Sequence, residues 1–269
     1  MRRHLKSLLG WLVLASGLYR FCFRNRAVIA VFHRVDDALE NDPISCSRGT
    51  FRAYCDLFQR YFVGTSLQEL IDRLRRGDDI GGRVVITFDD GYRDNSEVAA
   101  VELKRRGLPA CFFLATGYIG TDRVASWDRN HGVRSRWMGW DDVRRLRQQG
   151  FEFGAHTISH CDLGRVDRNE AARELTGSRA QLEQELGEPV RLFSYPYGGR
   201  DNITVENQDE VRKAGFVCCL SAFGGVVARH SDPFHLERLP VSRWHVSPYQ
   251  FIFEAMLERP EASRQAFSD

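Results

Sequence analysis

An α/β barrel, closed or distorted, is the fold class this sequence predicts, and three observations carry it. Short β-branched or aromatic runs alternate with amphipathic stretches along most of the chain. Gly107, Gly150, Gly187 and Gly215 each follow one of those amphipathic stretches, where glycine ends a helix in left-handed geometry. Polar residues recur at the C-terminal ends of the apolar runs, the rim on which barrels carry their sites. A chain of 269 residues is long enough to bury one such core. An open doubly wound sheet is the competing topology.

Candidate strands fall at residues 28–32, 84–88, 110–115, 151–155, 192–195, 216–220 and 238–241. Helical patterns occupy 50–61, 67–76, 95–106, 141–149, 169–186 and 205–214. Helix, glycine and short strand, repeated in that order, give a mainly parallel sheet with helices outside it. No repeat, low-complexity tract or Pro/Gly-rich linker divides the chain. One domain is therefore expected over 28–258, after a basic and apolar segment at 1–27 and before a polar tail at 259–269.

Net charge is only +2, which speaks against nucleic acid as a partner, because such binders carry a strongly basic face. The arginine runs at 73–76 and 144–147 have helical spacing and read as solvated helix faces. The seven cysteines are odd in number, show no CxxC spacing and sit partly inside apolar runs. They read as small fillers in a reducing compartment rather than as a disulfide framework.

At the N-terminus, Arg2, Arg3 and Lys6 precede the uncharged stretch 8–19, and Arg20, Arg24 and Arg26 follow it. That stretch falls well short of the roughly 20 apolar residues that span a bilayer. Two readings fit equally: residues 5–23 as a helix lying in the interface of an anionic membrane, or as a helix packed on the domain. A cleaved signal fits less well, because Tyr19-Arg20-Phe21-Cys22 is a poor small-residue cleavage site.

Three motifs carry chemistry. Val84-Val85-Ile86-Thr87-Phe88-Asp89-Asp90-Gly91 ends an apolar strand in adjacent carboxylates, costly unless they are paired or hold a cation. Successive residues leaving a strand point opposite ways, so the two aspartates can serve different partners. The plainer reading is a helix cap, for which Asp94 is another candidate. His156-Thr157-Ile158-Ser159-His160 places two histidines four apart, on one face if the segment turns helical. With Asp90 they make a two-histidine, one-carboxylate set that leaves coordination positions open, as a catalytic metal site requires. Phe193-Ser194-Tyr195-Pro196-Tyr197-Gly198-Gly199 is a turn that can aim a backbone N–H at a developing oxyanion and offers aromatic rings to a sugar face.

In order and approximate spacing, Thr87-Phe88-Asp89-Asp90-Gly91, His156-Thr157-Ile158-Ser159-His160 and Tyr195-Pro196-Tyr197-Gly198 resemble the motifs of the polysaccharide deacetylases (carbohydrate esterase family 4, the NodB-homology domain). The likeness runs from about Val28 to Val241. It implies a distorted (β/α)₇ barrel and a divalent metal, usually Zn2+, sometimes Co2+ or Ni2+. By motif position Asp90, His156 and His160 resemble the metal ligands, Asp89 the catalytic base, and the Tyr197 backbone N–H the oxyanion donor. Tyr195, Pro196, Tyr197 and Gly198 resemble the substrate-binding turn. No late Leu-x-x-His acid motif is present. Instead Phe32-His33-Arg34 resembles the opening Tyr-His motif of the biofilm and exopolysaccharide branch, which assigns the general acid to His33, with His245 as the fallback.

Two departures follow. Phe193 and Ser194 stand where many members carry an arginine that holds the base, and Arg238 is the expected substitute. The motif-four tryptophan and aspartate have no clear counterpart, since Trp140-Asp141 starts a helix. The resulting expectation is a hydrolase that removes N-acetyl groups from an N-acetylglucosamine-type glycan. An amide hydrolase acting on peptidoglycan or a small molecule and a non-catalytic glycan-binding member are the alternatives. A cytoplasmic protein, or one peripheral on the cytoplasmic membrane face, reconciles the cysteines with the N-terminal segment.

Overall fold

The computed structural model describes residues 2–39, 42–130, 134 and 136–258; the expected tail at 259–269 lies outside them. Two helices come first, α1 (Arg2–Ser16) and α2 (Tyr19–Cys22), followed by β1 (Arg26–Phe32), β2 (Arg34–Val35) and β3 (Ser45–Cys46). Then come α3 (Arg48–Tyr61), β4 (Val63–Gly64), α4 (Leu67–Arg76) and β5 (Arg83–Phe88). A π-helical turn at Asn95–Ala99 leads into α5 (Ala100–Arg105), β6 (Cys111–Leu114), α6 (Ser126–Asn130), α7 (Trp140–Gln148) and β7 (Glu152–Ala155). The chain continues through α8 (Arg168–Leu186), α9 (Val205–Lys213), β8 (Val227–Ala228), β9 (Leu239–Pro240) and α10 (Pro248–Leu257).

The long strands β1, β5, β6 and β7 pair side by side and in parallel. Beyond β7 the ring continues through single parallel bridges, Ala155 to Phe193, Ser194 to Leu220 and Leu220 to Leu236. It then returns to β1 through β9. All seven sequence segments expected as strands thus occur in chain order around one distorted barrel, but the last three are reduced to short or isolated pairings. The reason is visible in their content: Ser194, Ser221 and Arg238 place polar groups in or just past these segments, and Pro196 removes a backbone donor.

Strand alternation sorts the core. Val28, Ala30, Phe32, Val84, Ile86, Phe88, Phe112 and Leu114 face outward against α3, α5, α7 and α10. Ala27, Ile29, Val85, Cys111, Phe113, Leu192, Leu220 and Leu236 form a separate cluster with Leu67, Leu70, Ile71 and Leu74 of α4. The same parity carries His33, Asp89, His156, Ser194 and Arg238 to the inner side at the rim. Gly154 is the close approach within that set. A Cβ there would stand 2.4 Å from the Phe113 ring and 2.8 Å from the Leu192 carbonyl oxygen.

Helix boundaries follow local chemistry. Ser47, Ser66, Asp167, Thr204 and Ser247 cap α3, α4, α8, α9 and α10 by accepting a first-turn N–H. Asp94 does not act as a cap; its carboxylate accepts from Val35 N at 2.8 Å and from Asn95 at 2.9 Å. The expected helix at 95–106 opens as a π turn, a local departure that recurs near functional sites. All seven cysteines are unpaired thiols. The segment before β1 is not detached: α1 lies along α10, tied by Lys6 to Glu254 at 2.8 Å and by Ser7 to Ser247.

Because neither Phe113 nor the Leu192 backbone has room to retreat, Gly154→Ala should destabilise the fold by about 1–3 kcal/mol. A lower denaturant midpoint with an unchanged slope checks this.

Candidate active site

The inner rim surrounds a cleft of about 340 Å³ lined in part by His33, Asp89, Asp90, Trp127, His156, His160, Tyr197 and Pro240, within the size range of small-ligand sites. Asp89 directly follows β5, on the inner side. Asp90 then takes φ 74, the left-handed region, so both carboxylates border the same cleft. The expectation that they point to opposite faces is corrected by that one torsion, although their partners do differ.

Asp89 belongs to Arg238. The guanidinium donates to both carboxylate oxygens, at 2.8 and 2.6 Å, and is itself fully buried. Its other donors reach Thr87 Oγ1 at 3.2 Å, Ser194 Oγ at 2.7 Å and the Ser221 carbonyl at 2.6 Å. All five guanidinium N–H groups are therefore used, the condition under which arginine can be buried. Burial alone would raise the Asp89 carboxyl; Arg238, then His156 and His33, outweigh it and hold the group below its ordinary value.

Asp90 belongs to the histidines. Its Oδ1 lies 3.4 Å from His156 Nε2 and 3.2 Å from His160 Nε2 and, although buried, has no hydrogen-bond partner among the described residues. His156 Nδ1 sits 2.8 Å from the Ser194 carbonyl oxygen, which can only accept, so in the neutral ring Nδ1 carries the hydrogen. Nε2 is then a lone pair aimed at a carboxylate oxygen. Acceptors facing acceptors need a cation between them, and one ligand atom from each of Asp90, His156 and His160 lies within 4.8 Å of the others. The donor set fits a divalent metal. Burial lowers the His156 pKa, but Asp89 and Asp90 overcome it and leave the ring above its ordinary value. Burial raises the Asp90 carboxyl, yet His160 and His156 hold it well below the carboxylate range.

The histidines meet without a helix. Residues 156–160 form a tight turn in which Thr157 and His160 adopt φ 63 and φ 59, correcting the helical reading of their spacing. Glu174 of α8 holds the turn, accepting from Ile158 N at 2.7 Å, Ser159 N at 2.9 Å and Ser159 Oγ at 2.8 Å.

His33 leaves β1 at the cleft, where Asn95 Nδ2 donates to its carbonyl at 2.8 Å. Burial lowers its pKa, opposed by Asp90 and Asp89. His245, the fallback, pairs with Glu254 at 3.3 Å and does not line the cleft. In the turn that follows Ser194, Tyr197 takes φ 62 and its ring, 56% exposed, lies 4.9 Å from that of His160. Tyr195 borders the cleft, but its ring is packed on Phe193 and is unavailable to a sugar face. Pro196 and Gly198 shape the turn and do not line the cleft.

Three contributors escaped the sequence reading. The Trp127 ring lies tilted against that of His160, centroids 4.2 Å apart, and its indole N–H donates to Tyr92 Oη at 2.7 Å. Arg34, buried, pairs with Asp42 at 2.5 Å and with Asp128, and so ties the Asp42 loop to α6 at the wall of the cleft. Glu174 left the one usable signal: an acid on the buried stripe of α8, between Ala171, Leu175 and Ser178.

Comparison with known proteins places this arrangement. A sequence profile described as polysaccharide deacetylase matches residues 76–218, more than half of the chain. YxkH of Bacillus subtilis (strain 168), provisionally named a polysaccharide deacetylase, is 26% identical over 159 residues, 59% of this chain and 51% of its own. The poly-β-1,6-N-acetyl-D-glucosamine N-deacetylase of Staphylococcus aureus (strain MSSA476) is 23% identical over 192 residues, 66% of this chain and 60% of its own. The chain thus spans about half to three fifths of the length of these relatives. The structure of IcaB from Ammonifex degensii superposes with a TM-score of 0.71 at 23% identity, covering 86% of this chain and 97% of that one. That likeness shows the fold, the distorted barrel.

Protons and a metal compete for the same lone pairs. With His156 raised above its ordinary value, divalent-metal affinity should fall as pH drops below neutrality, with proton release on binding. Calorimetric titration in buffers of different ionisation enthalpy measures both, and Asp90→Ala should abolish uptake.

Proposed function

This chain belongs to the polysaccharide deacetylase family, and on that premise we propose that it is a metal-dependent hydrolase removing N-acetyl groups from an N-acetylglucosamine-type polysaccharide and releasing acetate. One observation carries the reading: a metal-ready Asp90–His156–His160 set stands beside a second carboxylate, Asp89, kept ionised and out of that set by Arg238. Two imidazoles and one carboxylate with positions left open suit zinc, and the same donors accept cobalt or nickel. A cation held there supplies a Lewis acid for the amide carbonyl and a water acidified from about 15.7 towards 7.

The protein's own groups complete the reaction. Asp89 accepts the proton of the attacking water, a role worth roughly 10²–10⁴-fold. Arg238 keeps that carboxylate charged and fixes its direction. The backbone N–H of Tyr197, set by the left-handed torsion, faces the developing oxyanion, and such a donor contributes roughly 3–4 kcal/mol. His33 delivers a proton to the departing sugar amine as the carbon–nitrogen bond breaks. Burial lowers its pKa against the opposing pull of Asp90 and Asp89, so its imidazolium gives up the proton more readily than an ordinary one. The exposed Tyr197 ring offers a face to the sugar. Among the relatives described above, the staphylococcal enzyme's name supplies the first substrate to try, a β-1,6-linked oligomer.

Metal analysis followed by acetate release from N-acetylglucosamine oligomers tests the proposal; bound metal without acetate release would overturn it. Asp89→Asn should bind metal at unchanged stoichiometry while turnover falls roughly 10²–10⁴-fold, whereas His156→Ala should lose both. Arg238 is the largest influence lowering the Asp89 pKa against a burial that raises it. Arg238→Met should therefore move the acid limb of kcat/KM to higher pH, with Arg238→Lys moving it less.

A further inference from the structure

Helix α1 is apolar on two opposite sides, and the fold uses only one. Gly10 and Leu14 are buried against the body, where a Cβ on Gly10 would stand 2.0 Å from the Tyr249 carbonyl oxygen of α10. The Lys6–Glu254 and Ser7–Ser247 contacts fix the helix about its axis. That orientation turns Leu5, Leu8 and Leu12 to the opposite side, about half exposed, with Trp11 next to them. The apolar surface continues past Gly17 onto Leu18 and Phe21, 61% and 69% exposed. The outward side of a packed helix is ordinarily polar.

Charge is segregated to match. Arg2, Arg3, Lys6, Arg20, Arg24 and Arg26 precede the first acidic residue, Asp36, while the whole chain nets only +2, so the remainder is net acidic. Cations therefore flank the stripe at both ends. The Arg24 guanidinium lies 4.8 Å over the exposed Phe21 ring, and Arg3 lies 4.9 Å over Trp244, itself 55% exposed. An apolar strip edged by tryptophan and bracketed by arginine matches the boundary between acyl chains and acidic headgroups. Among the described residues no helix is long and apolar enough to cross a membrane.

We propose that the outward face of α1 and α2 docks the protein onto the surface of an anionic lipid bilayer, lying in the interface with the barrel held above it. A second copy of this chain is the rival occupant. It would press cationic ends against cationic ends, with no acidic residue in the segment to meet them. Arg3 also donates to the Trp244 carbonyl at 3.3 Å, four residues past the cleft-lining Pro240, so the docked helix begins near the rim of the active site. The inference stands apart from the reaction chemistry.

The test sediments the full chain with vesicles of mixed phosphatidylglycerol and phosphatidylcholine and with pure phosphatidylcholine. Binding should require the anionic lipid and weaken with salt. Leu8→Glu combined with Leu12→Glu, both at exposed positions, should reduce partition by about ten-fold or more with unchanged circular dichroism. Arg20→Gln and Arg24→Gln should each reduce it by about five-fold. Wild-type protein that ignores anionic vesicles, or a double leucine variant that binds as well as wild type, overturns the proposal. So does a dimer in sedimentation velocity that the leucine variant dissolves while vesicles are ignored, which would give the face to a second copy.

Discussion

The buried ion pair between Arg238 and Asp89 is the interaction on which the rest of the rim depends. It joins the end of β5, the Ser194 segment and the approach to β9, across the part of the barrel where pairing has thinned to single bridges. A buried cation with all five donors filled is tolerated, whereas removing its partner costs about 3–5 kcal/mol because an uncompensated charge remains. The barrel therefore closes through a charged group that must also stay close to the cleft. Structure and reactivity meet in that one contact, since the guanidinium that closes the ring also keeps Asp89 ionised.

A second constraint follows from concentrating so many groups in so little space. Among the described residues, Asp90, Thr157, His160 and Tyr197 are the non-glycine residues with positive φ, and all belong to the motifs of the site. Each such torsion costs on the order of 1–3 kcal/mol and persists only where the surroundings over-determine it. Here the surroundings are specific. Glu174 holds the histidine turn with three hydrogen bonds, the Ala222 N–H holds the Gly198 carbonyl, and Arg34 ties the Asp42 loop to α6 beyond. The strain turns side chains that strand alternation would scatter towards a single cleft.

Much of this was legible in the residues. Leu67–Arg76 was readable to the residue because Ser66 caps it, an apolar stripe runs along it and Gly77 ends it in left-handed geometry. Each of those signals is local. The motif residues Asp89, Asp90, His156 and His160 were readable for a related reason: polar groups at the ends of apolar strands are costly without a purpose. Trp127 and Asp128 were not readable, because nothing within several residues marks the short helix α6 that carries them or sets them apart from their neighbours. They gain meaning only beside His160 and Arg34.

The sequence by itself thus determined the order of the main strands and helices and the identity of the metal-ready residues, since short-range periodicity, caps and strand-end polarity act within a few residues. Between a barrel and an open sheet it left a choice. The tertiary structure decided what depends on distance across the chain. It brought Arg238 to Asp89 over 149 positions, turned both aspartates into one cleft, and buried the Tyr195 ring that the motif had offered to a sugar. It also chose which side of α1 faces α10. Amphipathic pattern alone could not choose, because both sides of that helix are apolar; the close approach at Gly10 together with the Lys6 and Ser7 contacts selects one.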